Sequence, residues 1–313
     1  VHRLDRHPVM ARHPVTPMDE ADVCLHLARQ TDLPLGLVPL DAMADAASAR
    51  ARLHAVLASG ARIVALDVVD AGTVASAGSL IWEDGGTPTL VIGSQGVEYA
   101  LVAHLAAAGL IDAAPPDPAV APVDRMAVVA GSVSSTTEAQ IGWAEAHGFA
   151  SLALDPRGAL GPDTERARWV EAAVDHAAAL GPCPIVYTAR GPDDAAIAEF
   201  RTAAEAAGLA PEAANARLGA GLGDILAGLL ERGGASRAVI AGGDTSSHAA
   251  RRLGIDALTV IAATVPGAAL CAAHRRNTDA PLEIALKGGQ MGTTDYFGRI
   301  RNGGAALQTR ERP

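Results

Sequence analysis

Short, unbroken runs of aliphatic and β-branched residues alternate along this chain with long alanine-rich amphipathic stretches, and this alternation limits the fold more than any other feature. Strands are expected at 62–69, 88–93, 126–131, 151–154, 184–188, 237–241, 257–261 and 283–286, with helices at 19–29, 41–57, 97–107, 137–147, 163–180, 193–207, 221–231 and 247–253. A strand that is apolar at every position has both faces covered, and helices of this length supply the cover. The expected class is α/β, with mostly parallel, doubly wound sheets. Hydrophobic residues make up 49% of the chain but aromatics only 3%, so small aliphatic side chains do the packing and let helices lie close to a sheet.

The segment 112–122 holds four prolines between two α/β patterns and reads as a linker. It separates a domain at 1–111 from one at 123–313. The net charge of −10 provides no basic stripe for nucleic acid and disfavours anionic membranes. No apolar run approaches the ~20 residues of a spanning helix. The basic, proline-rich opening up to Met18 lacks the apolar core of a signal peptide. Cys24, Cys183 and Cys271 are odd in number and far apart, which suits buried small hydrophobes in a reducing cytoplasm better than disulfides or a metal knuckle. A start at Val1 fits either a non-ATG start codon or a fragment.

Three turns at the carboxyl ends of expected strands share one design: glycine, then hydroxyl residues, then a helix. Ligands of open α/β sheets bind beyond these strand ends, where a helix N-terminus offers free N–H groups to an anion. The first turn runs through Gly131, Ser132, Ser134, Ser135 and Thr136. Its hydroxyls suit either phosphate contact or a plain cap with a Thr137/Gln140 capping box. The second, Gly242-Gly243-Asp244-Thr245-Ser246, leaves room for a phosphate or ribose, and Asp244 suits a magnesium ion held through water. His248 reads as a helix-surface residue. In the third, Lys287-Gly288-Gly289-Gln290-Met291-Gly292, Lys287 either meets phosphate charge or is simply solvated. No GxxxxGK[ST] loop occurs. Gly219-Ala-Gly221-Leu-Gly223-Asp224 has no strand before it and is explained better by a close helix contact than by a dinucleotide.

Taken together and in this order, the three turns resemble the four-carbon acid sugar kinase family. The likeness covers 123–297 and includes Leu218-Gly-Ala-Gly-Leu-Gly and Val265-Pro-Gly-Ala-Ala-Leu-Cys271. It implies that Ser132, Gly242, Gly243, Asp244, Thr245 and Gly288 line an ATP site, with Ser134, Lys287 and Gly289 beside them. The earlier stretch is similar to the later half of the family's sugar-binding domain at 13–18, 65–70 and 92–96. The family's Asp-Asp-x-Thr-Gly motif has no counterpart here, so the first domain is expected to be N-terminally truncated. The implied activity is transfer of the γ-phosphoryl of ATP, with Mg²⁺, to a terminal hydroxyl of threonate, erythronate or an oxo-tetronate. Gly93 and Ser94 would seat the substrate carboxylate, and Asp67 would orient the hydroxyl. The other reading is a non-catalytic nucleotide- or metabolite-binding module, either a relic or a subunit completed by another chain. A cytoplasmic protein with a sugar-acid partner is expected; a homo-oligomer is compatible with this.

Overall fold

The computed structural model describes residues 2–7, 10–12, 16–83, 90–112, 120–276, 278 and 280–304. The chain divides into two compact units, Val1–Pro115 and Pro116–Pro313. Most of the expected linker, and residues 13–15 of the first resembling segment, lie outside the described residues.

The first unit contains helix α1 (Val23–Leu27), strand β1 (Leu35–Val38), α2 (Ala46–Ala58), β2 (Ile63–Leu66), α3 (Ala71–Glu83) and α4 (Gln95–Ala107). β1 and β2 pair in parallel, Val38 opposite Leu66. Asp45 caps α2 by accepting from the Ala47 and Ser48 amides. The core gathers Val38, Met43, Ala49, Ala77, Leu80 and Ala100. α3 was not expected, because its glycines and serines weaken the helical pattern. Those same small residues let it lie against α4: a Cβ at Gly78 would collide with the Ala100 carbonyl. The expected strand at 88–93 is not formed over 90–93, where Leu90 and Ile92 are exposed; 84–89 lie outside the described residues.

The second unit contains β3 (Met126–Ala130), α5 (Ser135–Glu145), β4 (Ala150–Ala153), α6 (Asp163–Leu180), β5 (Pro184–Tyr187), α7 (Ala195–Ala206) and α8 (Pro211–Gly233). It continues with β6 (Arg237–Ala241), α9 (Gly243–Arg252), β7 (Ile255–Ala262), β8 (Leu270–Arg275), β9 (Glu283–Lys287) and α10 (Tyr296–Arg301). The strands form one sheet in the order β4-β5-β3-β6-β9-β8-β7. The first five are parallel, and β8 and β7 run antiparallel at the far edge. β8 was not expected, because Ala272, Ala273, His274 and Arg275 break up an apolar reading.

All five residues of β3 and of β6 are buried. Met126, Val128 and Ala130 pack on one face with Ile141 and Phe297, while Ala127 and Val129 pack on the other with Leu222 and Ile225. The unbroken apolar runs thus reflect helices on both sides. The glycines of 219–223 lie inside α8 and do make helix contacts. Cβ atoms at Gly219 and Gly221 would sit 2.8 Å from His248 and 2.6 Å from Trp169. Among the described residues no helix is long and apolar enough to cross a membrane.

The chain leaves β3 toward β4 on one side of the sheet and leaves β6 toward β7 on the other. β3 and β6 are neighbours, so the order reverses between them. In open α/β sheets ligands bind at such a reversal, beyond the carboxyl ends of the strands.

Candidate functional site

The three glycine turns leave adjacent parallel strands at one level. Ala130 pairs with Ala241, and Ala241 with Lys287. One step further, the Gly131 amide donates to the Ala241 carbonyl at 3.0 Å and the Gly242 amide to the Lys287 carbonyl at 2.9 Å. The first two turns sit at the reversal and touch: a Cβ at Gly131 would collide with Thr245 Oγ1. Gly242 has φ of 129°, and a Cβ there would lie 3.2 Å from the Ser132 amide, so both conformation and space call for glycine.

Behind these turns lies a buried polar cluster. Ser134 caps α5, its Oγ accepting from the Thr137 amide at 3.1 Å. Ser132 Oγ donates to Ser134 Oγ at 3.2 Å, and Thr137 Oγ1 donates to Ser132 Oγ at 3.0 Å. Ser134 Oγ also donates to the Gly289 carbonyl, which Thr137 Oγ1 reaches at 3.2 Å. Lys287 Nζ closes the cluster, donating to Thr137 Oγ1 at 2.9 Å, to Gly288 O at 3.2 Å and to Gly289 O at 3.3 Å. Lys287 is only 1% exposed, so the solvated alternative for it is corrected. Three acceptors match its three donors, but burial without a carboxylate pulls its pKa down to about 8.

The expected Thr137/Gln140 capping box is also corrected. Ser134 is the cap, and Gln140 Nε2 instead spans to Met291 O and Thr293 O, 3.0 Å each. Thr137 and Gln140 share the buried face of α5 with Ile141 and Ala144. Polar residues at core positions of a helix were the legible sign that they hold something. A second sign was available too: Lys287 is the only lysine among 313 residues.

The exposed part of this edge is at α9. Gly243 is exposed as its first residue, and a Cβ there would have nothing within 4 Å. Asp244 is exposed beside it, and Thr245 is buried against the first turn. The leading N–H groups of α5 and α9 have no partners within their own helices. His248 is half-buried and packs against Gly219.

The remaining candidates belong to the first unit. Asp67 is exposed just past β2, its amide donating to the Val38 carbonyl at 3.1 Å. Gly93 and Ser94 are exposed, and Ser94 is the N-cap of α4 but makes no side-chain capping bond. That leaves the N-terminal amides of α4 without a local acceptor from this residue.

Residues 127–297 match a family described as the nucleotide-binding C-terminal domain, and residues 1–101 match one described as the sugar-binding N-terminal domain. The sugar-binding match runs from residue 1 through most of the first unit. A Paraburkholderia graminis protein described as 3-oxo-isoapionate kinase is 46% identical over 309 residues, 96% of this chain and 65% of its own length. A Cupriavidus necator protein described as 3-oxo-tetronate kinase is 32% identical over 92% of this chain and 63% of its own length. This chain thus spans somewhat less than two thirds of these relatives. A solved structure from Salmonella typhimurium LT2 shares the fold at a TM-score of 0.67 and 24% identity, covering 95% of this chain and 66% of that one. By its matched nucleotide-binding and sugar-binding domains and by these relatives, the chain belongs to the four-carbon acid sugar kinase family.

Proposed function

We propose that this protein transfers the γ-phosphoryl group of ATP to a terminal hydroxyl of a small oxo sugar acid. The observation that carries the reading is the meeting of three glycine turns at the reversal of a parallel sheet, with the open N-terminus of α9 among them. Phosphoryl transfer depends on positioning and charge neutralisation rather than covalent chemistry, and this edge is equipped for both. ATP fits the space over Gly243, where a side chain is absent and nothing else fills the gap. The N-termini of α5 and α9 would face its phosphates. Mg²⁺ would neutralise phosphate charge when bound, with exposed Asp244 holding it through water. Among the described residues no three His, Cys, Asp or Glu side chains gather to hold a metal alone, which suits an ion that takes most of its ligands from phosphate and water.

In the first unit, Gly93 and Ser94 would hold the substrate carboxylate at the N-terminus of α4, and Asp67 would orient the hydroxyl. The relative at 46% identity favours a 3-oxo-isoapionate type of acid over the 3-oxo-tetronate type, with threonate and erythronate behind both. A non-catalytic binding module finds no support among these relatives. A cytoplasmic setting suits the unpaired cysteines Cys24, Cys183 and Cys271.

The test is calorimetry with ATP and Mg²⁺, followed by ADP release with each acid. Saturation with ATP at a hundredfold excess over Kd should raise stability by about 2.7 kcal/mol. Absence of any thermal shift at millimolar ATP would defeat the proposal. Binding without turnover on any of these acids would limit it to the nucleotide.

A further inference from the structure

The third turn is a β-turn, Gly288-Gly289-Gln290-Met291, closed by the Met291 amide donating to the Gly288 carbonyl at 3.1 Å. Its central peptide joins Gly289 to Gln290. Two donors converge on the Gly289 carbonyl, Ser134 Oγ and Lys287 Nζ, and Thr137 Oγ1 lies 3.2 Å from it while accepting from the same Lys287 Nζ. Two donors fill the carbonyl's two lone pairs and hold it inward. In a trans peptide the carbonyl and the following N–H point in opposite directions. Pulling the Gly289 oxygen into the buried cluster therefore turns the Gln290 N–H outward, and Gln290 is itself exposed.

A second feature locks this orientation. Flipping a central peptide in such a turn requires positive φ at its third residue, which is normally glycine. Here that residue is Gln290, and no residue other than glycine has positive φ among those described. Gly289 is also fixed by space: a Cβ on it would lie 2.6 Å from Ser132 Oγ and 3.4 Å from Ser134 Oγ. At Gly288 the nearest atom would be Met291 Sδ at 3.5 Å, an ordinary contact. Only the second of the two glycines is therefore demanded by the cluster.

We propose that the Gln290 backbone amide is a phosphate contact of this site and that Lys287 and Thr137 are positioning residues, acting on the phosphate through the Gly289 carbonyl they hold. Lys287 then serves the turn rather than meeting the nucleotide, which revises its expected role. The inference rests on the nucleotide reading above and assigns one donor within it.

The chain has five glutamines, so protein labelled with [¹⁵N]glutamine gives five backbone amide signals, and Gln290→Asn identifies the one in question. Addition of ADP with Mg²⁺ should move the Gln290 amide proton downfield by several tenths of a ppm. Thr137→Val and Lys287→Met should each weaken ADP roughly tenfold, and the double variant by much less than a hundredfold, since both act on one carbonyl. Gly289→Ala should weaken ADP while Gly288→Ala binds normally. Hydrogen exchange of the β3 and β6 amides shows that each variant is folded. If wild-type protein binds no nucleotide, the functional reading fails and takes this inference with it. If wild-type protein binds ADP but the Gln290 amide stays still and Thr137→Val keeps full affinity, this inference alone is overturned. A large loss in Lys287→Met beside a neutral Thr137→Val gives the lysine a direct contact and also overturns it.

Discussion

Because Lys287 is the only lysine, its titration can be seen without interference. Protein grown with [ε-¹³C]lysine carries a single side-chain signal, and its midpoint should fall near pH 8 rather than at 10.5. The sign follows from which state holds the proton. Between pH 8 and 10.5 the folded protein has released it while the unfolded chain retains it, so stability rises with pH across that window. Below pH 8 both states are charged, and folding carries the full cost of burying an ammonium group. A shift from 10.5 to about 8 corresponds to about 3 kcal/mol. Urea unfolding of the second unit's transition, wild type beside Lys287→Met at several pH values, isolates this term, because every other titration cancels in the difference. Wild type should gain about 3 kcal/mol on the variant between pH 7 and pH 10.5. A flat difference, or a midpoint at the ordinary lysine value, would refute the argument that burial among neutral acceptors lowers this pKa.

Three other outcomes are expected. Gly243→Val should fold, since a Cβ there meets nothing within 4 Å, yet calorimetry should show ATP affinity at least tenfold weaker, about 1.4 kcal/mol. Gly221→Val should do the opposite, costing roughly 1–3 kcal/mol in urea unfolding through overlap with Trp169 while leaving ATP affinity unchanged. Arg237→Leu removes a fully buried guanidinium that pairs with Glu283 and donates to Ala121, Ile300 and Arg301 carbonyls at 2.8–2.9 Å. Stripping these partners should lower stability by about 3–5 kcal/mol, and circular dichroism melting at fixed ATP would measure it.

The fold was legible wherever burial leaves a simple mark on sequence. β3, β5, β6 and β9 are covered on both faces and read as apolar runs, and α6 shows its full length by periodicity. β8 was not legible, because an antiparallel strand near a sheet edge tolerates a half-buried Ala272 and an exposed His274. Neither was β1, four residues whose company, α2 and β2, supplies most of its order. At the site, the glycines announced where backbone must approach backbone. What they could not announce was direction. Ser132 and Ser134 follow a glycine as phosphate-binding hydroxyls would, yet both are buried and spend their hydrogens on each other and on Gly289. A hydroxyl in the turn after a strand can point either way, and only the neighbour at 289, about 150 residues away, decides which.

That inward turn of the hydroxyls bears on how the site would bind. Turns held open by a ligand pay an ordering cost when it arrives; turns held by one another have paid it on folding. Here Gly131 is set by Thr245, Gly242 by the Lys287 carbonyl, and Gly289 by Ser134 Oγ and Lys287 Nζ. The polar side chains that look most like phosphate ligands therefore serve as the scaffold, and the groups left free are backbone amides at helix starts and at the Gln290 peptide. Backbone amides cannot be exchanged by side-chain substitution, but the glycines beside them can be filled. So the sharpest losses of affinity should come from substitutions that fill or tilt these turns, at Gly243 and Gly289. Truncating a hydroxyl that contacts no ligand should cost affinity only as far as it lets the Gly289 carbonyl turn.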